Sequence, residues 1–192
     1  MRATRTITVV VSVLLVLSLT GCGKAEKSSL SAEAQNVCGS WAYIHDRETA
    51  VAIFRENGTA EYEDARYSFE CEDGFIVLTD KKGNTTKLRY ELDADGMLLY
   101  RNTTYSFSGE GQPDGLVGQW TCPETNWTFE FTGAGTFLED GYFPGIYTVD
   151  EQNQVIKLIY NDQFEDTTCY YSLGNDTLNM EYPWRMVKTD SK

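Results

Sequence analysis

Apolar and polar residues alternate along most of the chain after residue 38. In Thr86-Lys87-Leu88-Arg89-Tyr90-Glu91-Leu92 the apolar side chains fall on one face and the charged ones on the other. Trp127, Phe129 and Phe131 interleave with Thr128, Glu130 and Thr132 in the same way. A period of two marks a half-buried strand, whose successive side chains point to opposite faces. The runs are short. Glu56-Asn57-Gly58, Asp73-Gly74, Lys82-Gly83-Asn84, Asp95-Gly96 and Gly174-Asn175-Asp176 separate them. Asn, Asp and Gly tolerate the positive φ that tight hairpins need. The pattern predicts consecutive antiparallel strands joined by hairpins. No segment beyond residue 38 has a helical period; Ser31–Asn36 is the one stretch where a short helix fits.

The pattern is written twice. Gly39-Ser40-Trp41 opens one copy and Gly118-Gln119-Trp120 the other. Phe54 followed by Asn57-Gly58-Thr59 matches Phe131 followed by Gly133-Ala134-Gly135-Thr136. Ile76 and Leu78 match Ile156 and Leu158; Leu88, Tyr90 and Leu92 match Cys169, Tyr171 and Leu173; Leu98 and Tyr100 match Leu178 and Tyr182. Each copy reads as roughly six to eight short strands. Residues 38–107 form the first copy, the Gly-rich segment 108–117 a linker, and 118–188 the second copy. An up-and-down meander whose first strand meets its last leaves no exposed edge. The expected fold is all-β: two tandem small antiparallel barrel or sandwich modules. A single larger barrel shared by both copies is the alternative.

Gly-x-Trp at the start of a first strand, followed by a meander, resembles lipocalins. More closely, the repeat resembles the lipocalin-like domains of unknown function found in bacterial lipoproteins. The resemblance implies a glycine that turns the chain into a barrel floor and a tryptophan, Trp41 or Trp120, that plugs it. It also implies an arginine from a late strand, Arg101 or Arg185, packed over that tryptophan. Each copy is about half the size of a lipocalin.

The start of the chain has a different character. Arg2 and Arg5 precede an apolar run, Ile7–Leu19, and then Leu19-Thr20-Gly21-Cys22. The run is shorter than the ~20 residues a membrane-spanning helix needs and suits the apolar core of a secretory signal. Leu19–Cys22 resembles the lipobox of bacterial lipoproteins. That implies a signal peptide over 1–21, cleavage before Cys22 and lipidation of its sulfur. The polar, small-residue segment 22–37 then reads as a flexible tether. The expected location is the extracytoplasmic side of a bacterial envelope membrane, held by a diacylglyceryl group, since stable anchoring takes more than one acyl chain.

Loss of Arg2 and Arg5 with the signal takes the net charge from −13 to −15. So acidic a chain is repelled by phosphate backbones, which excludes nucleic acid as a partner class. Four cysteines remain besides Cys22: Cys38, Cys71, Cys122 and Cys169. An even number in an exported chain suggests disulfides, Cys38–Cys71 and Cys122–Cys169 if each copy closes on itself. Four buried free thiols are the alternative.

Catalytic patterns are scarce. His45 is the single histidine. There is no nucleophile elbow, no phosphate-binding glycine loop and no zinc-spaced cysteine pair. Glu70 and Glu72 alternate with Phe69 and Cys71 and so face outward, and Asp93-Ala94-Asp95-Gly96 is better explained as a hairpin turn than as a calcium loop. No cofactor or metal is expected. The expected protein is a monomeric, non-enzymatic lipoprotein that binds a small apolar or aromatic ligand or an envelope component. The alternative is an interaction or inhibitor lipoprotein acting through loops and edge strands.

Overall fold

The computed structural model describes residues 30–161 and 164–189. The signal segment, Cys22 and residues 22–29 of the expected tether lie outside them. One helix, α1 (Ala32–Val37), precedes fourteen strands. The first copy supplies β1 (Gly39–Tyr43), β2 (Ala52–Phe54), β3 (Thr59–Tyr62), β4 (Ala65–Glu72), β5 (Phe75–Thr79), β6 (Thr85–Asp93) and β7 (Gly96–Phe107). The second supplies β8 (Gly118–Thr121), β9 (Thr128–Phe131), β10 (Thr136–Glu139), β11 (Phe143–Asp150), β12 (Val155–Tyr160), β13 (Thr167–Leu173) and β14 (Thr177–Thr189). Each strand pairs antiparallel with the next, and β14 returns to β1, so the sheet closes in a ring.

The two long strands change what the ring encloses. β7 and β14 also pair with each other, from Met97↔Met186 to Ser106↔Thr177. Along its other edge the first half of β7 pairs with β6, and its last residues pair with β8, Phe107 opposite Trp120. β14 does the same in mirror order: its first half pairs with β13 and its last residues with β1, Lys188 opposite Trp41. Each copy's first strand is therefore partnered by the other copy's last strand. The expectation was two modules, each closed on itself, with one larger barrel shared by both copies as the alternative; the sheet forms a single ring that runs through both copies. A last strand of ordinary length could only close its own copy, whereas β7 and β14 are long enough to run past their own copy.

The buried side chains fall into two separate clusters. One gathers Trp41, Phe54, Phe69, Ile76, Leu78 and Leu99 with Met186 of β14; the other gathers Trp120, Phe129, Phe131, Phe137, Ile156 and Leu158 with Tyr105 of β7. Both clusters thus include a residue from the opposite copy. Trp41 donates its indole N–H to the Val37 carbonyl at 2.7 Å, and Trp120 to the Leu116 carbonyl at 2.8 Å. Gly39 and Gly118 precede them with φ of 136° and 134°, a backbone conformation that L side chains rarely adopt. A Cβ on Gly118 would also run into the ring of Phe107.

Three expectations need correction. Part of the expected tether is ordered: α1 is capped by Ser31, whose hydroxyl accepts from the Ala34 N–H at 3.1 Å, and it buries Ala34 and Val37 in the first core. Glu33 ties it down further, accepting from Gly74 N–H and Tyr90 O–H, both at 3.1 Å. The apolar spacing of Ala34 and Val37 is too sparse to show this in the sequence. Second, the match of Leu98 and Tyr100 with Leu178 and Tyr182 is out of register. Leu92 pairs with Met97 and its counterpart Leu173 with Leu178, so Met97 matches Leu178 and Arg101 matches Tyr182. Met97-Leu98-Leu99-Tyr100 is an unbroken apolar run and carries no phase of its own. Third, neither expected disulfide is present: Cys38, Cys71, Cys122 and Cys169 are all free. Cys38 donates its thiol to the Ala34 carbonyl at 3.4 Å, burial pushes the Cys71 thiol up to about 11, and the Thr125 hydroxyl holds the Cys122 thiol below its ordinary value.

Candidate functional site

Trp41 and Trp120 lie near the starts of β1 and β8, at one end of the cores. Antiparallel strands alternate in direction, so the starts of β9, β11 and β13 and the ends of β10 and β12 lie together at the opposite rim of the second core. There the chain places Trp127 just before β9, Glu139 at the end of β10, Phe143 at the start of β11, Tyr160 at the end of β12 and Phe164 in the following loop. These line an open cleft of about 870 Å³, shared with Thr167, with Tyr182 and Arg185 of β14, and with Ile44, His45 and Arg47 of the β1–β2 loop.

The side chains form a closed circuit. Glu139 Oε1 accepts the Trp127 indole N–H at 2.9 Å, and Oε2 accepts the Tyr160 hydroxyl at 2.5 Å. The rings complete the circle: Trp127 stacks on Phe143 at 6.5 Å between centroids, Phe143 meets Phe164 edge-on at 5.0 Å, and Phe164 meets Tyr160 at 5.8 Å. Tyr160 reaches the Tyr182 hydroxyl at 3.3 Å. Burial raises the pKa of Glu139, against the hydrogen bonds from Tyr160 and Trp127, which favour the ionised form. Burial also raises Tyr160 and Tyr182, so both phenols stay protonated as donors.

Other residues singled out from sequence lie elsewhere. Trp41 and Trp120 are 2% and 0% exposed and belong to the filled cores. Neither carries an arginine. Lys188 lies over Trp41 at 5.2 Å, and Phe107 meets Trp120 edge-on at 5.3 Å. Arg101 instead pairs with Glu63 at 2.7 Å and lies 5.8 Å from the Trp184 ring, and Arg185 sits 2.7 and 2.6 Å from the two Asp93 oxygens. The lipocalin arrangement fails here because the residue opposite each plug comes from the other copy. Glu70 and Glu72 are exposed, Asp93–Gly96 is the β6–β7 turn, and His45 sits in the exposed β1–β2 loop and touches the cleft. Among the described residues no three His, Cys, Asp or Glu side chains are grouped to hold a metal, and no helix is long and apolar enough to cross a membrane.

The alternation had assigned Trp127 to the interior of a strand; it stands at the rim, 38% exposed. Glu139, Phe143, Tyr160 and Phe164 went unremarked. A signal for them exists in the mismatch between copies. The register equates Trp127 with Ala50, Glu139 with Tyr62 and Phe143 with Ala65. Small residues stand in the first copy where the second has its rim aromatics. Comparison with protein-family models, with curated proteins and with solved structures finds no match for the chain.

Proposed function

We propose that this is a lipid-anchored extracytoplasmic binding protein of lipocalin-like build that takes a small ligand with an apolar or aromatic part. On this reading the ring is pinched by β7 and β14 into two eight-stranded lobes, each made of one copy's seven strands and half of the other's last strand. Small barrels of this kind have side-chain-filled interiors, and both lobes are filled. The observation that carries the function is the aromatic circuit closed on Glu139 at the unplugged rim of the second lobe. Such clefts, mainly apolar with a few convergent polar groups, are where small ligands bind. Both Glu139 oxygens are occupied by donors, an arrangement suited to holding charge in place rather than to passing protons, which favours binding over catalysis.

The test is calorimetric titration of the full chain with a neutral aromatic probe, 2-naphthol. Binding by the wild type, with affinity lowered about tenfold or more in Trp127→Ala and Phe164→Ala, supports the reading. Absence of binding to the wild type, or unchanged affinity in both variants, overturns it. The anchor is tested separately: Cys22→Ser should move the protein from the membrane fraction to the soluble one, and retention of that variant in the membrane would refute the lipobox reading.

A further inference from the structure

We propose that the cleft selects an organic ammonium group, held between the Glu139 carboxylate and the faces of Trp127, Phe143 and Phe164. The inference rests on the ligand-cleft reading above and names the ligand's chemistry.

Charge is the first argument. Glu139 forms no salt bridge among the described residues, whose ion pairs all lie elsewhere. Its hydrogen-bond donors, an indole and a phenol, are neutral. Even the partial burial of Glu139 disfavours its charged form unless something supplies the opposite charge. A neutral ligand would strip the remaining water from it without compensation, and an anion would be repelled. Of the two arginines on the cleft wall, Arg185 is already paired with Asp93 at 2.6 Å. The other, Arg47, lies in the exposed β1–β2 loop and donates to the Ile44 carbonyl at 3.4 Å.

The rings narrow the choice of cation. Aromatic faces attract cations, and several faces arranged around one point suit an alkylated ammonium, which is weakly hydrated and has an apolar surface. A hard metal cation needs a cage of several oxygens. Glu165 and Asp95 also line the cleft, but among the described residues no three such side chains are grouped to hold a metal, and Glu139 itself stands among aromatic rings. The net charge of −13 adds a long-range field that draws cations in. The site is also particular to the second copy. Equivalent positions of the first hold Ala50, Tyr62 and Ala65, and there the nearby cation Arg101 is built in, paired to Glu63 at 2.7 Å. The fold by itself thus does not require the circuit.

The experiment compares choline with its neutral isostere 3,3-dimethylbutan-1-ol, titrated into the full-length protein and into Glu139→Gln, with 2-naphthol as control. Choline should bind the wild type about tenfold or more tightly than the isostere, and Glu139→Gln, shown to be folded by circular dichroism, should erase that preference. Equal affinity for choline and isostere, with 2-naphthol still bound, overturns the ammonium inference and leaves the cleft reading standing. Failure to bind 2-naphthol strikes the cleft reading itself. A second arm separates free from membrane-borne ammonium. Wild type, but not Glu139→Gln, binding phosphatidylcholine vesicles over phosphatidylglycerol vesicles assigns the group to a lipid headgroup, and binding of free choline alone assigns it to a soluble molecule; either supports the inference. Vesicle binding that ignores both headgroup and Glu139, together with no choline preference, overturns it.

Discussion

Glu139 is held in a strained electrostatic position, and its effect on stability has a definite sign. Burial raises its pKa in the folded state above the ordinary carboxylate value. The folded chain therefore binds that proton more tightly than the unfolded chain does. The resulting stabilisation is fully present below the unfolded pKa and is lost as pH rises through the folded one. The groups facing it are Tyr160, Tyr182, Tyr105, Trp127, Cys169 and Asp140, and the phenols and the thiol, all raised by burial, remain neutral through this window. Glu139→Gln removes the titrating group and can keep a hydrogen bond to each neighbour. Its melting temperature at neutral pH should equal or exceed that of the wild type, with the advantage shrinking as pH falls below the raised pKa. Thermal unfolding followed by circular dichroism across the acidic range measures this; parallel pH profiles for the two proteins would contradict it. The two core indoles behave differently. Trp41→Ala and Trp120→Ala each remove a fully buried indole and should each destabilise by ~3–5 kcal/mol. A loss below about 1 kcal/mol in denaturant unfolding at both sites would mean that neither indole is packed as described.

Between elements, Arg89 is the clearest clamp. It projects from β6 with its guanidinium 4.6 Å from the Phe75 ring and 3.8 Å from the Tyr170 ring of β13, and it pairs with Glu181 of β14 at 2.7 Å. Tyr100 of β7 meets the edge of Tyr170 at 5.3 Å. The first copy thus grips the second through a planar cation lying on aromatic faces, which a lysine reproduces poorly. Arg89→Ala should cost ~1–2 kcal/mol, and a double-mutant cycle with Tyr170→Ala should return a coupling of about 0.5–1 kcal/mol. Strict additivity would show that the stacking contributes nothing. Helix α1 acts at the plugged end in a comparable way, joining the β4–β5 turn and β6 through Glu33.

Over the whole molecule, the exchange of last strands makes the two copies interdependent. A fragment ending after residue 112 keeps β1 to β7 but lacks the half of β14 that partners β1. It leaves an open edge and a core without Met186. Such a fragment should not fold as a monomer, and co-expression with residues 113–192 should restore a cooperative transition. The register also shows how a lone copy could satisfy itself. Arg101 and Tyr182 match each other and pair directly, so they lie on the pseudo-twofold axis. A second-copy homodimer would set Tyr182 against Tyr182, whereas a first-copy homodimer would set Arg101 against Arg101, and like charges directly opposite are destabilising. Sedimentation of the two fragments checks this: the second should dimerise more tightly, and a stable monomeric first fragment would defeat the exchanged-strand account.

Some of this was legible in the chain. Period-two alternation, Asn-Gly and Asp-Gly turns and the doubled Gly-x-Trp landmark are local properties, and they determined the all-β class and the antiparallel order, and bounded each copy at roughly six to eight strands. Leu88, Tyr90 and Leu92 could be placed in phase with Cys169, Tyr171 and Leu173 because the charged Lys87, Arg89 and Glu91 set the faces in the first copy; Met97–Tyr100 could not, because a run of apolar residues pins neither face. Only the tertiary structure decided which strand partners each copy's first strand, since a strand pairs through backbone groups that every residue carries. The length of β7 and β14 sets that choice. The rim site was decided there too. Trp127, Glu139, Phe143, Tyr160 and Phe164 are scattered along the chain, and strand direction and register bring them to one end. The sequence recorded each of them, but only as one more aromatic or acidic residue in a chain rich in both.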